Sequence, residues 1–258
     1  MTNKTLSTQA LSVIDQYLHF KVGPAECSIP YFNNKTVRAR AALSVRVGKG
    51  NPKEILDEAT ALLFKNHVDM ATLSGESLKK LLVDNGIGID CSGFAYHILN
   101  AESTERGKGP LKKYFHFIRT SGLIGKIFVS LRPVKNTDVA TFANDENSRA
   151  ISLMDIQPGD IVTMLSGTDG GERDHILVVS AVESEDNMPK KISYSHAVAY
   201  PEDGVYGSGV RQGEIEILNA NGTITDQIWK ESGTVEAAAR IFARAKVSKT
   251  ELRRLKWL

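Results

Sequence analysis

In this chain of 258 residues, the feature that most constrains the fold is the order in which helical and strand-like patterns of apolar residues follow one another. Apolar residues at helical spacing dominate the N-terminal part, beginning with an amphipathic segment at 5–20. From residue 156 onward the pattern changes to short apolar segments separated by turn-forming residues: IQPGDIVTML, HILVVSAVE, KISYSHAVAY and GEIEILN. A helical pattern returns at 233–245. Helices, then consecutive strands, then a closing helix predict an α+β fold with an antiparallel sheet.

Helix-start and helix-stop residues add detail to the N-terminal part. Asn51 can cap a helix, Pro52 suits the first helical position, and Glu54 can complete a capping box. The pair Asn85-Gly86 is a plausible left-handed stop for a preceding helix. The sequence therefore predicts a helix from Asn51 and three further elements, namely a strand at 37–47 and helices at 75–85 and 121–131.

Composition excludes several classes of protein. The net charge of +2 gives no global field that would favour nucleic acid or membrane as the main partner. Two cysteines, Cys27 and Cys91, without a CxxC pattern, argue against a disulfide framework and fit a reducing compartment. No window approaches the ~18–20 apolar residues of a membrane span, and polar residues interrupt the N-terminal segment where a secretory signal would be apolar. These features predict a cytoplasmic protein.

The stretch GIDCSGFAYHIL contains the strongest candidate for chemistry. Cys91 precedes an apolar helical run, and Asp90 can cap that helix. Unpaired backbone N–H groups at a helix N-terminus lower the pKa of a thiol, so this position favours a nucleophilic thiolate. Gly93 leaves room for a substrate backbone to approach. The alternative is that Cys91 is a small buried side chain behind a loop.

A nucleophilic cysteine needs a base, and the base needs a group that orients it. His175 opens the predicted strand DHILVVS, and His196 lies in the middle of ISYSHAVAY. A histidine on a half-buried strand is usually structural, but two on consecutive strands downstream of a helix-mouth cysteine favour a catalytic interpretation.

The motifs DCSGF, QPGDIV, DHILVVS and SHAV, in this order, resemble those of the NlpC-type papain-like cysteine peptidases. The resemblance covers residues 88–100 and 153–217. It implies a papain-like fold in which Cys91 is the nucleophile, His175 the base and His196 the residue that orients the base. It also implies an oxyanion or substrate-binding role near the nucleophile, which maps to Asp90, Ser92 and Gly93.

The chain departs from the family pattern in two places. The family usually carries a tyrosine just upstream of the Asp-Cys-Ser-Gly motif, whereas VDNGIGID has none, and Tyr31 is the nearest candidate. The interval between Cys91 and His175 is long, so 101–150 is interpreted as an insertion. We expect one papain-like domain over 1–258, with three parts: an N-terminal helical extension at 1–87, a catalytic core at 88–220 and a helical basic tail at 221–258.

The resemblance implies hydrolysis of an amide bond through a thioester acyl-enzyme, with a small peptide or amide as substrate and no cofactor or metal. The family's usual substrate is the stem peptide of peptidoglycan. Two alternatives use the same fold: an acyltransferase with the same triad, and a catalytically silent binding domain.

Other features support weaker hypotheses. A zinc site built from Cys27, Cys91, His175 and His196 is chemically allowed but lacks a short-range ligand pair. Residues 240–258 hold seven Lys or Arg against one Glu, a net charge of +6, so a nucleic-acid-associated protein is a further, less favoured alternative. Three other polar residues are interpreted as structural or solvated: His97, His116 and Asp174.

Overall fold

The computed structural model describes residues 1–33, 44–117, 132–166, 174–232 and 235–258. Its helices are α1 (Thr8–Leu18), α2 (Pro52–Lys65), α3 (Gly75–Asp84), α4 (Cys91–Glu105), α5 (Val139–Ala143) and α6 (Val235–Val247). Its strands are β1 (Thr2–Thr5), β2 (Phe20–Val22), β3 (Ala25–Cys27), β4 (Ser148–Ala150), β5 (Ile161–Leu165), β6 (His175–Glu185), β7 (Met188–Val198), β8 (Gly209–Glu216), β9 (Ile228–Glu231) and β10 (Lys249–Leu255). The architecture is α+β, as the sequence predicts.

An antiparallel sheet of eight strands organises the molecule. Seven strands follow the order β4-β10-β5-β6-β7-β8-β9, and β1 pairs with β6 beside this path. The first part of β6 pairs with β5, up to Val178 opposite Ile161, and its later part pairs with β1 from Ala181 onward. The four strand segments predicted from residue 156 onward are β5, β6, β7 and β8, so the prediction of an antiparallel sheet is confirmed.

Each face of this sheet carries its own apolar core. On the face that we call the α4 face, Ile176, Val178 and Ala197 belong to the same buried cluster as Phe94 and Ile98 of α4. The opposite side, the α6 face, has a second buried cluster that joins sheet and helix residues, among them Leu177, Val179, Tyr194, Trp229, Ile241 and Ala245. Alternate residues of β6 and β7 therefore face different cores, as the period of a strand requires.

The capping predictions for α2 and α3 are confirmed. The Asn51 side chain accepts from the Glu54 amide at 2.9 Å, and Glu54 accepts from the Asn51 amide at 2.9 Å. Helix α3 ends before Gly86, which has a φ of +62°. Of the strand predicted at 37–47, only 44–47 is described, and it forms a short 3-10 turn. The helix predicted at 121–131 lies outside the described residues.

The predicted basic tail is wrong in its secondary structure. The helix predicted at 233–245 is confirmed as α6, but strands flank it: β9 precedes it, and β10 follows it and lies inside the sheet between β4 and β5. Arg253 is only 3 % exposed and is paired with Glu251 and Asp145, and Arg254 pairs with Asp160 at 2.7 Å. Asp145 and Asp160, which are distant in sequence, thus neutralise part of the basic cluster, and the strand buries Arg253.

The predicted boundaries at 87, 101 and 150 do not separate packing units. Strand β1, within the predicted extension, pairs with β6, and α1 packs against α4. Within the predicted insertion, α5 packs on β5 and β4 pairs with β10. Both segments therefore contribute to the same sheet as the predicted core. No helix in the described ranges is long and apolar enough to cross a membrane.

Candidate active site

Cys91 is the first residue of α4, and Asp90 caps the helix. The Asp90 carboxylate accepts from the Gly93 amide at 2.6 Å, and its carbonyl accepts from the Phe94 amide at 2.9 Å. These capping bonds leave the amides of Cys91 and Ser92 at the helix mouth. Neither amide has a hydrogen-bond partner among the described residues, and two adjacent N–H groups of this kind at a helix N-terminus can stabilise a developing negative charge.

Asp90 and Ser92 belong to a buried polar network centred on Lys49, a residue that the sequence analysis missed. The Lys49 ammonium donates to Asp90 Oδ1 at 2.8 Å, to Ser92 Oγ at 2.6 Å and to the carbonyl of Thr137 at 2.9 Å. Lys49 is only 7 % exposed. No local pattern around Lys49 signals this role, because its partners lie 41 or more positions further along the chain.

Gly93 is required by the protein's own packing and does not leave an open space. A Cβ at this position would lie 2.7 Å from the Gly48 carbonyl oxygen and 3.0 Å from Ile89 Cδ1. The segment before α4 therefore presses directly on the first turn of the helix. The expectation that Gly93 makes room for a substrate backbone is wrong, because the chain itself occupies that space.

Tyr31 lies beside the residues that lead into the nucleophile. It forms a parallel bridge with Ile89, two residues before Cys91, while Ile89 donates to the Pro30 carbonyl at 3.0 Å. The Tyr31 hydroxyl accepts from the Asn33 side chain at 3.3 Å. The fold thus brings this tyrosine next to the Asp-Cys-Ser-Gly motif across a wide sequence gap.

The two histidines form a buried pair on adjacent strands. His175 Nε2 lies 2.8 Å from His196 Nδ1, and both rings are buried. The ladder between β6 and β7 reaches only the pair Val178–Ser195 at this end. The imidazoles therefore meet where the backbones of the two strands are no longer paired.

Glu231 continues this chain of polar groups, and the sequence analysis missed it. His196 Nε2 lies 3.1 Å from Glu231 Oε2, an ion-pair distance, and makes no aligned hydrogen bond to any described residue. The hydroxyls of Tyr194 and Tyr200 donate to the same oxygen at 3.3 and 3.2 Å. The signal available in the sequence was that Glu231 is in phase with the apolar Trp229, so that both face the α6 core.

Cys91 and the histidine pair lie on opposite faces of the sheet. His175 and His196 alternate with Ile176 and Ala197 and therefore face α6, whereas α4 packs on the opposite face. At the start of β6 the backbone N–H of Ile176 is close enough to the Cys91 thiol to lower its pKa. Among the described residues, no hydrogen bond joins Cys91 to His175 directly.

Burial decides the resting protonation of both groups. It raises the pKa of the Cys91 thiol to about 12, with help from the Asp90 carboxylate, and against Lys49, the Ile176 amide and Arg244. Burial also holds the pKa of His175 well below its usual value, assisted by His196 and Arg244. The sequence-based expectation of a thiolate is therefore wrong for the resting protein, because desolvation outweighs the helix N-terminus.

A pocket of about 270 Å³ opens beside Cys91. Its lining includes Lys49, Asn33 and the residues around the turn from Lys135 to Val139, together with Asp174. Asp174 accepts from the amide and hydroxyl of Ser166 at 2.9 and 2.8 Å. The pocket gives a small molecule access to the thiol and presents both cationic and carboxyl groups to it.

The other polar residues considered in the sequence have structural surroundings. His97 Nε2 lies 3.0 Å from the Lys49 carbonyl, and burial lowers the pKa of His97 to about 4. His116 is exposed, and its amide donates to Asn147 at 2.7 Å. Burial raises the pKa of Cys27 to about 11. In the described ranges, no three His, Cys, Asp or Glu side chains are arranged to hold a metal ion.

The site thus combines a thiol at a helix mouth, a histidine pair from two strands and a carboxyl group from a third strand. Its definition rests on this geometry and on the motifs that surround Cys91, His175 and His196. The chain matches no protein-family model, no curated protein and no solved structure.

Proposed function

We propose that the protein is a papain-like cysteine hydrolase that cleaves an amide bond, with Cys91 as nucleophile, His175 as base and His196 as the residue that orients the base. The observation that carries this proposal is the buried histidine pair, in which the ring nitrogens of His175 and His196 lie 2.8 Å apart; His175 directly precedes Ile176, whose backbone lowers the pKa of Cys91. The helix that bears Cys91 packs across one face of an antiparallel sheet, which supports a papain-like arrangement.

In the proposed reaction a neutral thiol and a neutral imidazole exchange a proton. As the Cys91 sulfur attacks the substrate carbonyl, the thiol proton passes to His175, and imidazolium His175 later protonates the leaving amine. The amides of Cys91 and Ser92 donate to the oxyanion, a type of contact worth about 3 kcal/mol per donor. Water then hydrolyses the thioester and releases the acid.

The first test is the pH dependence of alkylation by iodoacetamide, which is small enough for the pocket beside Cys91. Mass spectrometry separates Cys91 from the internal control Cys27 in the wild type and in His175→Ala. If His175 takes the thiol proton, the Cys91 rate stays nearly constant from about pH 6 to 9 and falls about 100-fold in the variant. Rates that rise tenfold per pH unit in both proteins contradict the proposal.

The substrate class has its own test. We expect a small amide or peptide, with peptidoglycan stem peptides as the first class to examine and the cytoplasm as the predicted location. A synthetic stem tetrapeptide is compared with an all-L peptide of the same composition, with Cys91→Ala as the control for background hydrolysis. Release of an amine from the stem peptide alone supports the class, whereas equal cleavage of both peptides by the wild type excludes it. An added amine acceptor distinguishes the acyltransferase alternative by forming a new amide.

A catalytically silent binding domain is the second candidate, because one observation favours it. Burial raises the pKa of the Cys91 thiol to about 12, and no hydrogen bond joins the thiol to His175 among the described residues. A silent domain keeps the pocket without proton transfer, so its Cys91 alkylation is insensitive to His175. The nucleic-acid alternative is less favoured, since Arg253 and Arg254 are paired with carboxyl groups.

A further inference from the structure

The buried carboxyl group of Glu231 has surroundings that a purely structural acid does not need. Its side chain is 0 % exposed, and three groups face its Oε2 atom: the hydroxyls of Tyr194 and Tyr200, and His196 Nε2. The other oxygen, Oε1, has no hydrogen-bond partner among the described residues and lies 3.7 Å from Arg211. A buried acid whose groups are only partly satisfied calls for an explanation.

The pairing of β7, β8 and β9 places the Tyr194 hydroxyl within reach of the Glu231 carboxyl group. Tyr194, Gly213 and Glu231 are cross-strand neighbours on β7, β8 and β9. A Cβ at Gly213 would lie 2.3 Å from the Tyr194 hydroxyl oxygen, so the missing side chain is what lets the ring cross β8. The Tyr194 side chain therefore passes over Gly213 on the middle strand, and its hydroxyl reaches the Glu231 carboxyl group.

The position of Glu231 determines which ring nitrogens of His196 and His175 donate and which accept. Glu231 Oε2 lies 3.1 Å from His196 Nε2 without an aligned hydrogen bond, and the attraction between a carboxylate and an N–H group favours the tautomer with the proton on Nε2, which leaves His196 Nδ1 as an acceptor. His175 Nε2, 2.8 Å from that atom, must then be the donor. A neutral His175 with its proton on Nε2 has Nδ1 free to accept a proton.

We propose that Glu231 is a positioning residue that sets the tautomers of His196 and His175 and so makes His175 Nδ1 the atom that accepts the Cys91 proton. The part of this inference that concerns catalysis rests on the proposed hydrolase function. The polar groups follow one another from His175 on β6 through His196 on β7 to Glu231 on β9, and the Glu231 carboxyl group also stabilises the imidazolium formed during proton transfer. In the reverse tautomer, Nδ1 of His175 would carry a proton and could not act as the base.

Nitrogen-15 NMR of the histidine rings tests the tautomers without any substrate. In the wild type above pH 7, we expect protonated Nε2 and unprotonated Nδ1 in both rings, assigned with His175→Asn and His196→Asn. A His196 ring protonated on Nδ1 overturns the proposal. This measurement needs no Glu231 variant, so it remains decisive if such a variant fails to fold.

Two substitutions of Glu231 distinguish the effect of its acceptor oxygen from the effect of its negative charge. Glu231→Met removes the acceptor, so both tautomers should be populated in His196, and the nearly flat pH profile of Cys91 alkylation should change to one that rises with pH. Glu231→Gln can keep an oxygen opposite Nε2, so the tautomers stay as in the wild type while alkylation slows about tenfold. Glu102→Met is the matched control, because Glu102 is equally buried, at 1 % exposure, and lies in the second half of α4.

The outcomes distinguish this inference from the proposed function. Wild-type tautomers retained in Glu231→Met overturn the role of Glu231, whether or not Cys91 is reactive. If the tautomers change in that variant but wild-type Cys91 alkylation rises tenfold per pH unit, the hydrolase proposal fails, and Glu231 still sets the histidine tautomers. If Glu102→Met changes the tautomers equally, loss of any buried carboxyl group explains the effect, and the positioning role is excluded.

Discussion

The two faces of the sheet hold their polar groups in opposite ways. On the α4 face a buried cation, Lys49, gathers Asp90, Ser92 and a carbonyl around the N-terminus of a helix. On the α6 face a buried acid, Glu231, contacts a histidine and a tyrosine hydroxyl from β7 and a second tyrosine hydroxyl, Tyr200, from the segment that follows β7. Cys91, the proposed nucleophile, belongs to the first arrangement, and His175, the proposed base, belongs to the second.

Despite this difference, burial on both faces favours the uncharged forms of the Cys91 thiol and the His175 imidazole. Burial raises the pKa of Cys91 and lowers that of His175, so the thiol and the imidazole are both neutral. Charged groups lie beside Cys91 and beyond His196, namely Lys49 and Asp90 on one side and Glu231 with Arg211 on the other. In the proposed reaction a proton moves between these two neutral groups, and Lys49 and Glu231 stabilise the negative and positive charges that develop.

The largest effect that would sharpen this comparison is expected at Lys49. Lys49→Met leaves Asp90 and Ser92 buried without their cation, so the free energy of unfolding should fall by about 3–5 kcal/mol. Lys53→Met is the matched control, because Lys53 forms an exposed pair with Asp57 at 2.7 Å, and it should change stability by less than about 0.5 kcal/mol. Urea unfolding at pH 7 measures both. Equal losses in the two variants would show that the Lys49 network does not stabilise the α4 face.

The corresponding test on the α6 face uses Gly213. In Gly213→Ala the new Cβ would overlap the Tyr194 ring and lie 2.6 Å from the Lys230 carbonyl oxygen. Overpacking of this kind should lower the free energy of unfolding by about 3 kcal/mol, measured by urea unfolding. Gly222→Ala is the control, since its nearest neighbour would be 3.3 Å away. A stable Gly213→Ala protein with an unchanged Tyr194 environment would contradict the close crossing.

The smallest of these effects concerns pH and the α4 face. Because burial lowers the pKa of His97 to about 4 from 6.5, the unfolded chain binds the proton more readily than the folded protein does. Neutral His97 therefore contributes fully to the free energy of unfolding above pH 6.5, and this contribution is lost as the pH falls toward 4. Because the His97 ring is only partly buried, we expect this loss in the free energy of unfolding to be about 2 kcal/mol.

Substitution of His97 tests this dependence. In His97→Gln the loss of stability between pH 6.5 and 4 should shrink by that amount, measured by urea unfolding at several pH values. His116→Gln, at an exposed position, is the control and should follow the wild type. An unchanged pH dependence in His97→Gln would mean that His97 does not contribute to the acid sensitivity of the α4 face.

Local patterns were sufficient for much of the fold. The capping box at Asn51, the stop at Gly86 and the helix that begins at Cys91 depend on residues within about one helical turn. Alternation and turn residues likewise identified β5 to β8. The basic C-terminal segment was misinterpreted because the partners that turn it into β10, namely β4 and β5, lie about 90 residues earlier.

The sequence by itself determined that Cys91 begins a helix and that His175 and His196 lie on neighbouring strands of an antiparallel sheet, since spacing and alternation are local properties. Only the tertiary structure decided that Lys49 and Glu231 anchor the two sides of the site, because their partners are distant in sequence. It also decided the state of the thiol. A helix N-terminus predicts a lowered pKa, but the loss of water around Cys91 depends on everything packed over it, and this loss raises the pKa to about 12.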